Sequence, residues 1–222
     1  MATVFAPRLS GLGARVTRDE DGTPAYVRQA REGDARAFQE LFRNHRRDVG
    51  RLVARLLGPR PDVEDVVQEV FLQVFRSLQN FRGEARFTTW LHRVAVNVTL
   101  MHLRAARSRP RLGQELLDEP AAPDGSSPVD EAARNQRLRA LYRILDTLSE
   151  KKRAVFILHD LDGVPAGQIA ATLDTPVLTV RTRLFYARKE VYAAMAGDPT
   201  LESIARELAS PEAAAAAAES PQ

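Results

Sequence analysis

The sequence has no cysteine, which excludes disulfides, zinc–thiolate sites and cysteine nucleophiles. Its four histidines, His45, His92, His102 and His159, are scattered without metal-ligand spacing, and neither a glycine-rich phosphate loop nor an activated-serine motif is present. No apolar run approaches the roughly 18 residues that a membrane span needs, and the N-terminal segment is a poor signal peptide. These absences predict a cytoplasmic, non-enzymatic protein with no cofactor, no metal and no membrane insertion.

Charge is unevenly distributed along the 222 residues, although the net charge is only +3. Residues 25–109 and 134–196 carry an excess of basic side chains, whereas residues 110–133 and 197–222 carry an excess of acidic ones. Arginine supplies most of the basic charge, and its forked guanidinium suits contacts to phosphate and guanine. Two basic blocks around an acidic segment therefore favour a nucleic-acid partner.

Proline, glycine and serine accumulate in residues 110–130, which predicts a linker that cuts the chain into two domains. The resulting organisation is a flexible N-terminal tail at 1–24, a domain at 25–109, an acidic linker at 110–133, a second domain at 134–196 and an acidic, alanine-rich C-terminal tail at 197–222.

Apolar residues recur at helical spacing throughout both domains, so the predicted fold is all-α, with two small helical domains joined by a flexible acidic linker. In the first domain the apolar stripes predict three long helices, over Leu41–Leu57, Val63–Val74 and Phe87–Leu103. In the second, a helix carries Leu138 to Leu148, and Ser149 is placed to cap the next one.

Residues 163–191 predict a helix-turn-helix. Ile169 and Leu173 mark a short first helix, and Asp174-Thr175-Pro176 forms the turn, with Thr175 as the N-cap and Pro176 as the first residue of the second helix. The outer face of that second helix carries side chains suited to base edges and phosphates in a major groove: Thr179, Arg181, Thr182, Arg183, Tyr186 and Arg188.

Two strings in the chain resemble regions 2 and 4 of the extracytoplasmic-function (ECF) sigma factors of bacterial RNA polymerase. The region 2 string is DVEDVVQEVF at 62–71, followed by FRGEARFTTWL at 81–91 and RVAVN at 93–97. The region 4 string spans 148–191 and includes LDG at 161–163, QIA at 168–170 and PVLTVRTRL at 176–184. The resemblance covers about residues 25–195 in the family's order. The chain departs from it at Leu178, where glycine is usual, and at Tyr186, where a basic residue is common.

The resemblance implies an alternative sigma factor that binds core polymerase, recognises the −35 and −10 promoter elements and helps to melt the −10 region. In the family, region 2 docks on a coiled coil of the β′ clamp, region 4 meets the β flap, and an anti-sigma factor commonly holds the protein inactive. The residues expected to bind the polymerase are Asp62, Asp65, Gln68, Glu69 and Phe71. Spacing alone places the three carboxylates on one helix face, which would equally suit a solvated surface.

The −10 element is expected to contact the region that follows the polymerase-binding helix. Its candidate residues are Phe81, Arg82, Arg86, Asn97, Met101 and Arg104. Phe81, Phe87 and Trp90 are also interpretable as core aromatics. The −35 element is expected to contact the outer face of the helix-turn-helix, where the arginines would otherwise form a solvated face.

Two other functions remain open from the residues. A free-standing regulator would bind operators through the helix-turn-helix without polymerase, but it leaves the acidic helix face unused. A nucleic-acid-processing enzyme would need metal ligands or a nucleophile, which the sequence does not offer. Dependence of promoter binding on core polymerase distinguishes the first of these from a sigma factor.

Overall fold

The computed structural model describes residues 23–108 and 128–208, and every regular element in these ranges is helical. The helices are α1 Ala25–Arg31, α2 Ala35–Leu57, α3 Val63–Ser77, α4 Phe87–Ser108, α5 Pro128–Leu145, α6 Glu150–Phe156, α7 Ala166–Leu173, α8 Val177–Ala196 and α9 Glu202–Leu208. The all-α prediction is confirmed. The predicted N-terminal tail up to residue 22, the linker from 109 to 127 and the alanine-rich segment from 209 lie outside the described residues.

Helices α1 to α4 form the N-terminal domain, in which α2, α3 and α4 pack against one another. The three-and-four spacing in α3 buries Val66, Val70 and Val74 in the shared core. Helix α2 begins at Asp34, whose carboxylate accepts hydrogen bonds from the backbone N–H groups of Arg36 and Ala37 at 2.7 and 3.2 Å.

Helices α5 to α9 form the C-terminal domain, which contains the predicted helix-turn-helix. A small core of Val155, Leu158, Ile169, Val180 and Leu184, with Ala170, fixes α7 against α8. Between these helices Asp174 adopts a left-handed backbone with φ 49°, a conformation that Asp tolerates better than most residues. The turn therefore connects α7 to α8 through three residues, 174–176.

The two domains pack together at the C-terminal end of α2, where a charged side chain, that of Arg153, is buried between them. Arg153 of α6 is 1% exposed. Its guanidinium donates to the carbonyl oxygens of Leu56 at 2.9 Å and Leu57 at 2.7 Å, and it pairs with Asp146. Since the last carbonyls of a helix have no partner within it, Arg153 satisfies polar groups that α2 cannot satisfy itself. Burial lowers the pKa of the Arg153 guanidinium, and Asp146 opposes that shift.

Further contacts surround this arginine. Tyr142 donates a hydrogen bond to the Arg55 carbonyl at 2.8 Å, and Arg55 forms an ion pair with Asp162. Gly58 ends α2 at φ 84°, and a Cβ atom there would overlap the ring of Tyr142. The interface thus depends on a residue with positive φ and no side chain.

The boundaries differ from the sequence predictions in three places. Helix α5 begins at Pro128, inside the predicted linker. Helix α8 begins one residue later than predicted, so Pro176 rather than Thr175 is its N-cap. Within the predicted tail, α9 packs on α8 with Leu201 and Ala205 buried. Ser149 caps α6 by position, but its side chain makes no capping hydrogen bond.

Candidate protein and nucleic-acid interfaces

The outer face of α3 is acidic and open to solvent. Asp65, Gln68 and Glu69 are all exposed. Glu69 lies 3.9 Å from Arg76 of the same helix, and Glu64 pairs with Arg46 of α2. These carboxylates are displayed by a helix whose opposite face is firmly anchored in the core, which makes them a rigid negative surface.

Two other residues of the expected polymerase-binding set lie apart from this face. The Asp62 side chain is 19% exposed, and its Oδ2 lies 2.5 Å from Nε2 of His102 on α4. Its Oδ1 is buried and has no hydrogen-bond partner among the described residues. Phe71 is 4% exposed and packs edge-on against Phe42 at 4.7 Å between ring centroids. In this conformation Asp62 joins two helices and Phe71 belongs to the core.

Sequence reasoning missed two apolar side chains beside the acidic face. Leu72 is 50% exposed and Phe75 is 60% exposed, and the Phe75 ring packs edge-on against Phe38 at 5.1 Å. Each follows a buried stripe residue by one position, which is the signal that places it outside the core stripe. Exposed apolar surface rimmed by charge is typical of a protein-binding site.

The loop between α3 and α4 carries the first candidates for the −10 element. Phe81 is 4% exposed and lies 5.6 and 5.5 Å from the ring centroids of Phe87 and Trp90, so it is a core aromatic in this structure. Its carbonyl accepts a hydrogen bond from Arg31 at 3.1 Å. Arg82 and Arg86 are exposed. The loop therefore offers two arginines, while its phenylalanine fixes the loop's base.

The remaining −10 candidates lie along one side of α4. Asn97 is exposed, and Met101, one turn later, is 66% exposed. Arg93 and Arg104 lie on the same side, because they are four residues before and seven residues after Asn97. Exposed Asn and Met in the middle of a helix add little to the core, so this face is available for another molecule.

The C-terminal domain reaches both ends of this α4 face. Arg93 lies 3.7 Å from Asp174 of the helix-turn-helix, and Arg104 donates through Nε to Glu150 at 2.8 Å. Ala171 of α7 also forms one wall of a cleft of about 400 Å³ beside the loop that carries Arg82. The Arg104 candidate is thus engaged with α6, and Asn97 and Met101 lie between two interdomain ion pairs.

The −35 candidates on the outer face of α8 differ in their exposure to solvent. Arg181, Thr182 and Tyr186 are exposed, whereas Thr179 and Arg183 are half-buried. The Thr182 hydroxyl donates to the Leu178 carbonyl at 2.9 Å.

Arg188, the last candidate of the set, is held by the domain itself. Its Nε and Nη2 atoms donate to the two carboxylate oxygens of Asp160 at 2.8 and 2.6 Å. Burial alone would raise the pKa of Asp160, but hydrogen bonds from Arg188 and His159 outweigh it and leave that pKa below its usual range. The Asp160 hydrogen bonds also raise the pKa of Arg188. Arg188 therefore ties α8 to the π-helical segment Ile157–Leu161 that follows α6.

Among the described residues, no group of three His, Cys, Asp or Glu side chains is arranged to hold a metal ion. None of the described helices is long and apolar enough to cross a bilayer. Burial lowers the pKa values of His45 and His92, with Asp48 opposing both shifts. The hydroxyl of Tyr26 lies 2.9 Å from Nε2 of His45, which gives that ring a structural partner.

Comparison with known proteins matches both domains to one family. Residues 41–109 match Sigma-70 region 2, and residues 138–191 match Sigma-70 region 4. The ECF RNA polymerase sigma-E factor of Escherichia coli strain K12 is 36% identical over 172 residues, covering 74% of this chain and 90% of that protein. The ECF RNA polymerase sigma-E factor of Haemophilus influenzae is 34% identical over 175 residues, covering 75% of this chain and 92% of that protein.

A solved structure is similar as well. CnrH, in complex with the cytosolic domain of CnrY, matches with a TM-score of 0.54 and 26% identity, over 78% of this chain and 96% of CnrH. The two helical domains described above correspond to regions 2 and 4 in the order that the family has. The chain therefore belongs to the ECF family of RNA polymerase sigma factors, which serve transcription initiation.

Proposed function

We propose that this chain is an alternative sigma factor that binds core RNA polymerase, recognises −35 and −10 promoter elements and helps to melt the −10 region. The observation that carries the proposal is the exposed acidic face of α3 in the same chain as a helix-turn-helix with an exposed basic face. A free-standing regulator has use for only the second of these. The polymerase performs the chemistry, and this chain supplies recognition and strand capture.

The α3 face suits a basic coiled coil such as that of the β′ clamp. Asp65 and Glu69 would meet its arginines, and complementary charge of this kind steers association and sets orientation. Leu72 and Phe75 add apolar area next to the carboxylates. Buried apolar and aromatic anchors usually contribute most of an interface's affinity.

The α4 face and the preceding loop suit an unpaired −10 strand. Arg82 and Arg86 would hold phosphates, which adds affinity without sequence information. The amide of Asn97 can hydrogen-bond a base edge, and Met101 offers an apolar surface for a base. The helix α8 would enter the major groove of the −35 element with Arg181 and Thr182 facing the DNA.

Simultaneous contact with both elements requires the two domains to separate. The elements are about 25 base pairs apart, which is roughly 85 Å at about 3.4 Å per base pair. Here Arg93 of α4 and Asp174 of the helix-turn-helix are 3.7 Å apart. We infer that the described arrangement is a closed form, and that promoter binding breaks the contacts of Arg93, Arg104 and Arg153 across the domains.

A regulatory protein partner and a cytoplasmic location are part of this proposal. CnrH was solved with the cytosolic domain of CnrY, and that likeness supports a protein partner for this chain. The same proposal includes contact between the C-terminal domain and the β flap of the polymerase. Each of these rests on the family, and the exposed apolar residues of α3 and α8 are available for such partners.

The test is run-off transcription with purified core polymerase on fragments of the protein's own genome. Discrete start sites that need the protein, and that disappear when Asp65→Arg and Glu69→Arg are combined, are expected. Glu32→Arg with Glu202→Arg is the matched control, since it makes the same charge change at two exposed positions, the C-cap of α1 and the first residue of α9. Sequence-specific binding of duplex DNA without core, and no dependent transcripts, would indicate a free-standing regulator.

A further inference from the structure

The first turn of α8 exposes only aliphatic side chains. Leu178 is 74% exposed and Val177 is 38% exposed, and the turn contains no acidic residue. Val180 in the same turn is fully buried and fixes the helix to the small core of the domain. Leu178 is therefore held outward at the N-terminal tip of the helix, and Thr179, the one polar side chain in that turn, is half-buried.

Other exposed apolar residues continue this side of the helix. Phe185 is 64% exposed and lies seven residues after Leu178, two turns further along the same side. Arg181 and Thr182 lie between them, and the Thr182 hydroxyl already donates to the Leu178 carbonyl at 2.9 Å. A scattered exposed leucine needs no explanation. Leu178 lies at the N-terminal tip of the second helix of a helix-turn-helix, one turn before Arg181, which is where such a helix contacts base edges.

Base edges in the major groove differ in what they offer such a side chain. Adenine, guanine and cytosine present hydrogen-bond donors or acceptors, and only thymine adds an apolar group, its 5-methyl. A hydrogen-bonding edge facing Leu178 would lose its water without gaining a partner, which is unfavourable. Contact between an exposed leucine and the thymine methyl is favourable, because it buries apolar surface on both groups.

On this basis, and resting on the proposed function, we propose that Leu178 determines specificity at the −35 element by packing on the 5-methyl group of a thymine. The preferred −35 element then contains a thymine at the position that the tip of α8 reaches. The polar contacts of Arg181 supply affinity and further readout one turn away.

The test uses the holoenzyme formed with core polymerase on the promoter found by run-off transcription. Each −35 thymine, on either strand, is replaced in turn by deoxyuridine, which removes only the methyl group. Because burial of one methyl-sized group contributes about 0.8 kcal/mol, wild-type holoenzyme is expected to lose about fourfold in promoter affinity at one position. Leu178→Ala is expected to abolish that loss. Arg181→Ala is the matched control, which weakens binding to both templates and keeps the ratio.

The outcomes separate this inference from the proposed function. Promoter-dependent transcription without any deoxyuridine effect overturns the role of Leu178 and leaves the sigma function standing. A deoxyuridine effect that persists in Leu178→Ala overturns it too, because another residue then contacts the methyl. A Leu178→Ala variant that impairs assembly with core, measured by gel filtration, with the deoxyuridine ratio unchanged, would place a protein on this tip instead. Absence of any promoter-specific transcription would refute the proposed function itself.

Discussion

The outer faces of α3 and α4 belong to the same domain, yet among the described residues it is the α4 face that has ion pairs with the C-terminal domain. The α3 ion pairs run to α2 and along α3 itself, through Glu64 and Glu69. The α4 face instead has an ion pair to the C-terminal domain near each end, through Arg93 and Arg104. The proposed polymerase surface is thus accessible in the closed form, while the proposed −10 surface is partly covered. Under the proposed function, this difference predicts that polymerase binds first and DNA second.

The largest expected effect comes from removing the arginine that holds the closed form. Arg153→Met leaves the carbonyls of Leu56 and Leu57 without this donor and removes one of the two arginines that pair with Asp146, since Arg60 also donates to that carboxylate at 2.8 Å. Loss of one partner from such a buried cluster typically costs about 3–5 kcal/mol of unfolding free energy. Urea unfolding measures this change. Arg137→Met, at an exposed position of α5, is the control and is expected to change stability by less than about 0.5 kcal/mol. A loss below about 1 kcal/mol for Arg153→Met would contradict the packing described.

A charge exchange tests whether the domains pack in solution as they do here. Arg55 and Asp162 are 28% and 11% exposed and lie on different domains. Arg55→Asp alone and Asp162→Arg alone place like charges together, so each is expected to open the interface and increase the radius of gyration in solution scattering. The double variant restores the pair and is expected to regain compactness, with a coupling energy of about 1–2 kcal/mol. A double variant as expanded as the single ones would rule out this contact.

Acid is expected to act on the two domains at different pH. The pKa values of His45 and His92 lie below their unfolded values, so the unfolded chain takes up protons first as pH falls. Their contribution to stability is therefore complete above the unfolded pKa of about 6.5 and is lost below it. Asp160, whose pKa is also lowered, loses its contribution only near pH 4 and below. Thermal unfolding should show that the free energy of unfolding falls between pH 7.5 and 5.5. The same pH slope in His45→Gln with His92→Gln would show that other groups cause it.

The smallest expected effect tests directly whether the C-terminal domain covers the α4 face. Glu150→Gln with Asp174→Asn removes the ion pairs that Glu150 forms with Arg104 and Arg107 and the one that Asp174 forms with Arg93. Both changes keep side-chain shape, and Asn tolerates the αL backbone at 174. We expect the free protein to bind a single-stranded −10 oligonucleotide about threefold more tightly, since each partly exposed pair contributes only a few tenths of a kcal/mol. Binding to the isolated β′ coiled coil should stay unchanged.

The matched control for that experiment is Glu32→Gln with Glu202→Gln, which changes the net charge equally but lies away from α4. An equal gain in the control would attribute the effect to net charge and not to uncovering of the −10 face.

Periodicity predicted the helices because their buried stripes are local in sequence. Val66, Val70 and Val74 could be assigned to a core without knowing what covers them. The turn at 174–176 was predictable for the same reason, to within one residue at the start of α8. Local patterns of this kind also displayed Asp65 and Arg181 on outer faces, where the structure has them.

The interface could not be predicted, because its partners are far apart in the sequence. Arg153 follows Lys151 and Lys152, and a run of three basic residues predicts a solvent-exposed face. Only the tertiary structure brings it to the end of α2, 97 residues away from Leu56. Asp62, Arg104 and Arg188 also have partners that are distant in the sequence. Each is expected from the sequence and the family resemblance to contact another molecule, and in the structure each contacts a residue of another element of this chain.

The buried guanidinium of Arg153 has a consequence for promoter choice under the proposed function. The free energy of opening is subtracted from the binding of every promoter by the same amount, about 1.4 kcal/mol for each tenfold excess of closed over open molecules. Promoters with good contacts at both elements gain more binding free energy than opening costs, whereas sequences that match only one element do not. A contact inside the protein, far from any base, would in this way set how strong a promoter must be before it is transcribed.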